Sequence, residues 1–219
     1  QTLDDMNIGY FDNWASVFGV ITQSIEVKPS GDGFRPRTRF SNFVNLNELC
    51  NLFGEVFDIA KTADMNLKLP AIQNGKPEMI ICEKSPEQEL QTDAGIERAR
   101  RIEAKMVQPD EDNMLAVCTY MTKVALDARI IDPEAVEYDG GKVALCAEKI
   151  IEINKANPGT AQAIFCDTNT PKKDAFSVYQ ALRDRLVRSG EFAENEIAFV
   201  HDAANDKQRL AMFEKVNNA

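Results

Sequence analysis

The sequence predicts an α/β chain in two parts, a helix–β-hairpin–helix unit followed by strands that alternate with helices. Two observations carry this. Residues 20–27 and 34–40 alternate as strands around the turn Ser30-Gly31-Asp32-Gly33. Short apolar runs at 161–167 and 196–200 are separated by helical patterning over 174–189. Strands and helices of this length, in this order, imply parallel pairing through right-handed crossovers.

Residues 4–18 place apolar side chains at helical spacing, with Trp14, the chain's single tryptophan, as a core anchor. The hairpin follows. Its second strand puts Arg35, Arg37 and Arg39 on one face and Phe34, Thr38 and Phe40 on or near the other. Asn45 is placed to cap a helix from 46 to about 60, carrying Leu46, Leu49, Phe53, Val56 and Phe57 on one side. Residues 61–70 are irregular, and 78–83 read as a short apolar strand. Ser85-Pro86-Glu87 then combines a capping serine, a proline at the first helical position and an acid in the first turn, and it predicts a helix to about Val107. Residues 108–113 form a loop, 119–130 a helix, and 131–140 a polar connection. Helices at 142–155 and 205–217 complete the pattern, the first ending at Asn157-Pro158-Gly159. Organisation follows as 1–75 (helix–hairpin–helix), 76–130 (lead-in strand and linker helices) and 131–219 (α/β layer).

The chain has 219 residues, 44% apolar and 27% charged, with a formal net charge of −10. The size and balance are those of a chain able to bury a real core. Its first residue is Gln1, which marks processing or a fragment, and no leader or membrane-spanning run is legible. The five cysteines are scattered, without a C-x-x-C pair, and read as buried thiols of a reduced, cytoplasmic protein. The acidic balance disfavours a strong nucleic-acid binder, since phosphate contacts need Lys and Arg. Two local basic clusters stand against it: Lys28 with Arg35, Arg37 and Arg39, and Lys172 and Lys173 with Arg183, Arg185 and Arg188. The alternative for both is a solvated face.

Three segments carry a family resemblance. Glu78-Met79-Ile80-Ile81-Cys82-Glu83-Lys84-Ser85-Pro86-Glu87-Gln88 resembles the strand and Ser-Pro-x-Gln that open the second lobe of Swi/Snf-type ATPases. Ala161 to Thr168 is similar to that family's motif IV, an apolar strand ending in Phe-Cys-x-Thr. Ile197-Ala198-Phe199-Val200-His201-Asp202, with Gln208-Arg209 and Phe213-Glu214-Lys215-Val216, resembles its His-Gly strand and the next helix, although Asp202 replaces the usual glycine. Upstream, Tyr10 to Gly19 and Thr62-Ala63-Asp64-Met65 resemble the helicase–methylase proteins of conjugative and phage-like elements. The resemblance spans essentially the whole chain. It implies a partial RecA-like parallel sheet with flanking helices, within a DNA-translocating superfamily-two helicase.

The machinery for ATP is absent. There is no G-x-x-x-x-G-K-[S/T], since Gly141-Lys142 is followed by Val143. Asp110-Glu111-Asp112 follows Gln108-Pro109 and not an apolar strand, so it is a solvated loop and not a Mg²⁺-holding strand end. The arginine-finger motif would lie beyond Ala219. The resemblance therefore implies a non-catalytic piece between the catalytic halves, with no cofactor of its own and with ATP and Mg²⁺ expected for the parent.

By resemblance, Thr168, Asn169, Thr170 and Lys172 face the nucleic-acid backbone, to which hydroxyl, amide and ammonium groups can all donate. The competing reading is a polar loop that caps the next helix. Gln208 and Arg209 match an interdomain pair. His201, the lone histidine, cannot build a zinc site and reads as a hydrogen-bonded strand-end residue. Ile164-Phe165-Cys166-Asp167-Thr168-Asn169-Thr170-Pro171 also resembles the aspartate-nucleophile pattern of haloacid-dehalogenase-like phosphatases. Asn169 and Pro171 stand where that pattern has its second carboxylate and its threonine, which speaks against that chemistry. The expected partners are DNA through the parent, a fused or associated methylase, and a second chain paired at an open sheet edge along 161–167 or 196–200. The rival reading is an acidic protein-interaction scaffold without nucleic-acid binding.

Overall fold

The computed structural model describes residues 2–58, 60, 64–65, 71–72, 75–171 and 175–217. It is a mixed α/β chain, and among these residues it has eight α-helices and one two-stranded antiparallel sheet. The chain divides into two compact units, Gln1–Glu78 and Met79–Ala219.

The first unit contains α1 (Thr2–Asp5), α2 (Phe11–Phe18), β1 (Gly19–Val27), β2 (Phe34–Phe43) and α3 (Leu46–Gly54). Helix α2 runs directly into β1. At that junction a Cβ on Gly19 would collide with the Phe40 ring and the Ala15 carbonyl, so only glycine fits. Ile8, Phe18 and Leu49 are buried together, and Trp14 and Leu52 pack against them. Trp14 stacks on Phe40 with ring centroids 6.0 Å apart, and meets Phe18 at 5.9 Å and Phe43 at 6.1 Å. The expected anchor role of Trp14 is thus filled by an aromatic cluster that ties helix to hairpin. Asn45 does not cap α3 with its side chain. It adopts a left-handed φ of 50°, and its amide donates to the Val17 carbonyl at 2.8 Å.

The second unit contains α4 (Pro86–Glu103), α5 (Met114–Leu126), α6 (Lys142–Ala156), α7 (Val178–Arg188) and α8 (Asp206–Asn217). Helix α4 opens with a complete capping box: Ser85 Oγ accepts from the Gln88 amide at 3.1 Å, and Gln88 Oε1 accepts from the Ser85 amide at 2.9 Å. The Gln88 side chain also donates to the Val124 carbonyl at 2.7 Å, tying α4 to the end of α5. Gly95 lies inside α4, where glycine costs a helix about 1 kcal/mol relative to alanine. A Cβ there would collide with Met121 of α5, so the glycine allows the two helices to approach closely. Asn113 caps α5 by accepting from the Ala116 amide at 3.0 Å, which starts that helix five residues before the expected 119. Ala147, Ile150 and Leu186 form a second core between α6 and α7, covered by Leu182, Phe192 and Ile197.

The expected strands 78–83, 161–167 and 196–200 are not strands: the sheet among the described residues consists of β1 and β2 alone. A strand needs a neighbour to complete its ladder, and among the described residues these runs have none. Their polar groups turn elsewhere. The Gln162 side chain donates to the Ile150 carbonyl at 2.9 Å, and the Cys166 carbonyl accepts from the Tyr179 hydroxyl at 2.6 Å. Apolar length alone cannot distinguish a core strand from other apolar segments. Met79, Ile81 and Phe165 are in fact more than four-fifths exposed. The cysteines also differ from expectation. Cys50 and Cys118 are exposed and the other three are half-buried; Cys82 and Cys166 lie in no helix or strand. No helix among the described residues is long and apolar enough to cross a membrane.

Candidate nucleic-acid interface

Antiparallel pairing sets Arg35 opposite Glu26, Arg37 opposite Ser24 and Arg39 opposite Thr22. Alternation along each strand then brings all six side chains to one face. Glu26 is the only acid among them. Arg39 reaches diagonally to it in a bidentate pair, with Nε–Oε1 at 2.6 Å and Nη2–Oε2 at 2.8 Å. The hydrogen bonds from Arg39 hold the Glu26 carboxyl below its ordinary range against partial desolvation, and the positive fields of Arg39, Arg35 and Arg37 add to this. Arg35 and Arg37 form no ion pair among the described residues. Arg35 Nε is buried without a hydrogen-bond partner there. The face carries three positive charges against one negative, with the arginines about 6.8 Å apart along the strand.

The second basic cluster is built differently. Glu137, in the connection between α5 and α6, receives Arg185 Nη1 at 3.0 Å and Arg188 Nη2 at 2.9 Å. Burial pushes the Glu137 carboxyl up. The hydrogen bonds from Arg188 and Arg185 and the field of Arg129 outweigh that, and the carboxyl ends below its ordinary value. Arg185 also pairs with Asp139 at 2.8 Å, and Arg183 with Glu194 at 2.8 Å. Arg129 is chelated by Asp127 and lies 4.7 Å over the Phe176 ring. Arg183, Arg185 and Arg188 are therefore bound to acids of their own unit. Lys172 and Lys173 lie outside the described residues.

The loop after Cys166 performs the capping role. Asn169 has a left-handed φ of 57°, its Oδ1 accepts from the Val178 amide at 2.6 Å, and its Nδ2 donates to the Phe176 carbonyl at 3.2 Å. Both ends of this amide are used to start α7. Thr168 is half-buried, and its carbonyl accepts from the Cys166 thiol; Thr170 is exposed. Gln208 and Arg209 also act locally. Gln208 Oε1 accepts from the Ala204 amide at 2.7 Å, and Arg209 pairs with Asp206 at 3.1 Å, both at the start of α8. His201 packs edge-on to Tyr179, with ring centroids 5.3 Å apart. Three arginines thus share a face, while the loop residues and the Gln208–Arg209 pair occupy separate places in the other unit.

Sequence reasoning missed the Glu137 network. Its signal was the acid pair Glu137 and Asp139, whose partners lie 46 to 51 residues away. Among the described residues no group of His, Cys, Asp and Glu could hold a metal ion. Comparison with known protein families, curated proteins and solved structures finds no match.

Proposed function

We propose that this chain contacts nucleic-acid phosphates through the arginine face of its hairpin, as a non-catalytic part of a DNA-dependent, helicase-like ATPase of the Swi/Snf type. The observation that carries the phosphate half is the row Arg35, Arg37 and Arg39 opposed by a single carboxylate, with Arg35 and Arg37 unpaired among the described residues. Guanidinium groups spaced along a strand match a run of phosphate oxygens better than they match a point ligand. The motor half rests on the order of the three resembling segments at 78–88, 161–168 and 197–216. It further requires a RecA-like sheet containing 161–167 and 196–200, a pairing absent from the described residues. A shared sheet detected between these segments in a longer parent would support that half, and its absence there would overturn it. ATP, Mg²⁺ and an associated methylase belong to the parent in this reading.

A direct test is titration of a labelled DNA duplex across salt. Two free arginines correspond to a slope of log affinity on log salt of about −1.8, roughly a twelvefold loss of affinity between 50 and 200 mM. Arg35→Ser with Arg37→Ser is expected to remove that slope. An unchanged slope overturns the proposal. The rival reading, an acidic interaction scaffold, is favoured by the net charge of −10 and by the exposed Met79, Ile81 and Phe165. It predicts no DNA shift even at low salt.

A further inference from the structure

Among the described residues the hairpin has two open edges, and they are not equivalent. The Lys28 amide donates to the Gly33 carbonyl at 2.9 Å, which closes the ladder and sets its phase. Hydrogen-bonded and non-hydrogen-bonded pairs alternate from that point. Ile25–Pro36 is then a non-hydrogen-bonded pair, so the backbone groups of Ile21, Gln23, Ile25 and Val27 point away from β2. On the β2 side the corresponding outward position is Pro36, which has no amide hydrogen to offer. Proline and neighbouring charge are the usual guards of an edge strand. The β1 edge has no such guard: residues 21–25 are exposed and contain neither proline nor charge.

The sequence of that open edge reads nearly the same in both directions: Ile21-Thr22-Gln23-Ser24-Ile25. We infer that β1 pairs antiparallel with β1 of a second copy of this chain, about a two-fold axis at Gln23. In that register the outward-bonding residues oppose one another. Ile21 meets Ile25 of the second copy, Gln23 meets Gln23, and Ile25 meets Ile21, exchanging about six backbone hydrogen bonds. On the opposite face Thr22 meets Ser24, a hydrogen-bonding pair. Glu26, the one charge of β1, falls opposite Val20 of the second copy, so no like charges meet. The contact is isologous, as a two-fold axis requires.

The apolar faces support the same partner. Ile21, Ile25, Val27 and Phe34 lie on one face of the hairpin, each between 61% and 76% exposed. Trp14 of α2 covers the Phe40 end of this hairpin, and the Ile21, Ile25, Val27 and Phe34 end stays exposed. Pairing into a four-stranded sheet with a continuous apolar face therefore adds stability there. Edge pairing joins the two faces and covers Ile21 and Ile25 with each other's counterparts.

Sedimentation equilibrium of the full chain tests this. The expected result is a dimer whose dissociation constant rises at least about tenfold in Gln23→Lys, where two lysines would face each other across the axis. Thr38→Lys, the matching change on the guarded edge, is expected to leave it unchanged. A monomer at millimolar chain concentration overturns the inference, as does equal weakening by both variants. A second measurement covers misfolding of the lysine variant. In a Cys50→Ser, Cys118→Ser background, Gln23→Cys should form a symmetric disulfide dimer on mild oxidation under native conditions. Failure to crosslink overturns the inference.

Discussion

The stretches 35–39 and 183–188 each contribute three arginines, and the fold gives them opposite fates. On the hairpin the arginines alternate along a strand and, among the described residues, only Arg39 is paired, to Glu26, so the face stays positive. On α7 the three arginines meet Glu137, Asp139 and Glu194, delivered by the chain on either side, and the surface is neutralised. The same residue type is thus left largely unpaired in one unit and bound into ion pairs in the other. Counting charge along the sequence cannot separate the two. What separates them is whether acids from distant segments fold back onto the basic row.

The largest expected effect that would break this comparison is on DNA affinity. Replacing Arg35, Arg37 and Arg39 together by serine should lower affinity by about two orders of magnitude at low salt, measured by fluorescence anisotropy. An equal loss from Arg183→Ser with Arg188→Ser would erase the distinction between the stretches.

The converse test is stability. Glu137→Gln should destabilise the second unit by about 2 kcal/mol in chemical denaturation, because it leaves Arg185 and Arg188 short of a partner. The folded-state carboxyl of Glu137 lies below its unfolded value. Its contribution is therefore present at neutral pH and lost as pH falls from the ordinary glutamate value through the lower folded one. The glutamine variant should flatten that acid limb of the stability profile.

A smaller effect is expected at Asn169. Alanine removes both capping hydrogen bonds and disfavours the left-handed φ, at a cost of about 1–2 kcal/mol. Glycine keeps the φ and should cost less, and the difference measures the conformational share. Thermal melts of the two variants read this directly.

The smallest effect is a gain. Glu26→Gln releases Arg39 and should steepen the salt slope of DNA binding by about 0.9, one further phosphate contact.

Local signals were legible in the sequence. Ser85-Pro86 started a helix as expected, because a capping box is satisfied within four residues. The hairpin and its arginine face followed from alternation and the Ser30–Gly33 turn. The long-range part was not legible. Runs such as 161–167 and 196–200 are apolar enough for strands, yet a ladder depends on a neighbour that no local pattern encodes. Asn169 shows the same limit: its letters fit a phosphate contact, and its amide is used on α7 instead. Arg185 reads as surface charge until Glu137, 48 residues away, is placed beside it.

The most direct test is the salt dependence of duplex-DNA affinity measured side by side for the wild type, Arg35→Ser/Arg37→Ser and Arg183→Ser/Arg188→Ser. A slope that falls by about 1.8 for the hairpin variant and stays unchanged for the α7 variant is the predicted result. Equal slopes in all three proteins would contradict the assignment of phosphate contact to the hairpin face.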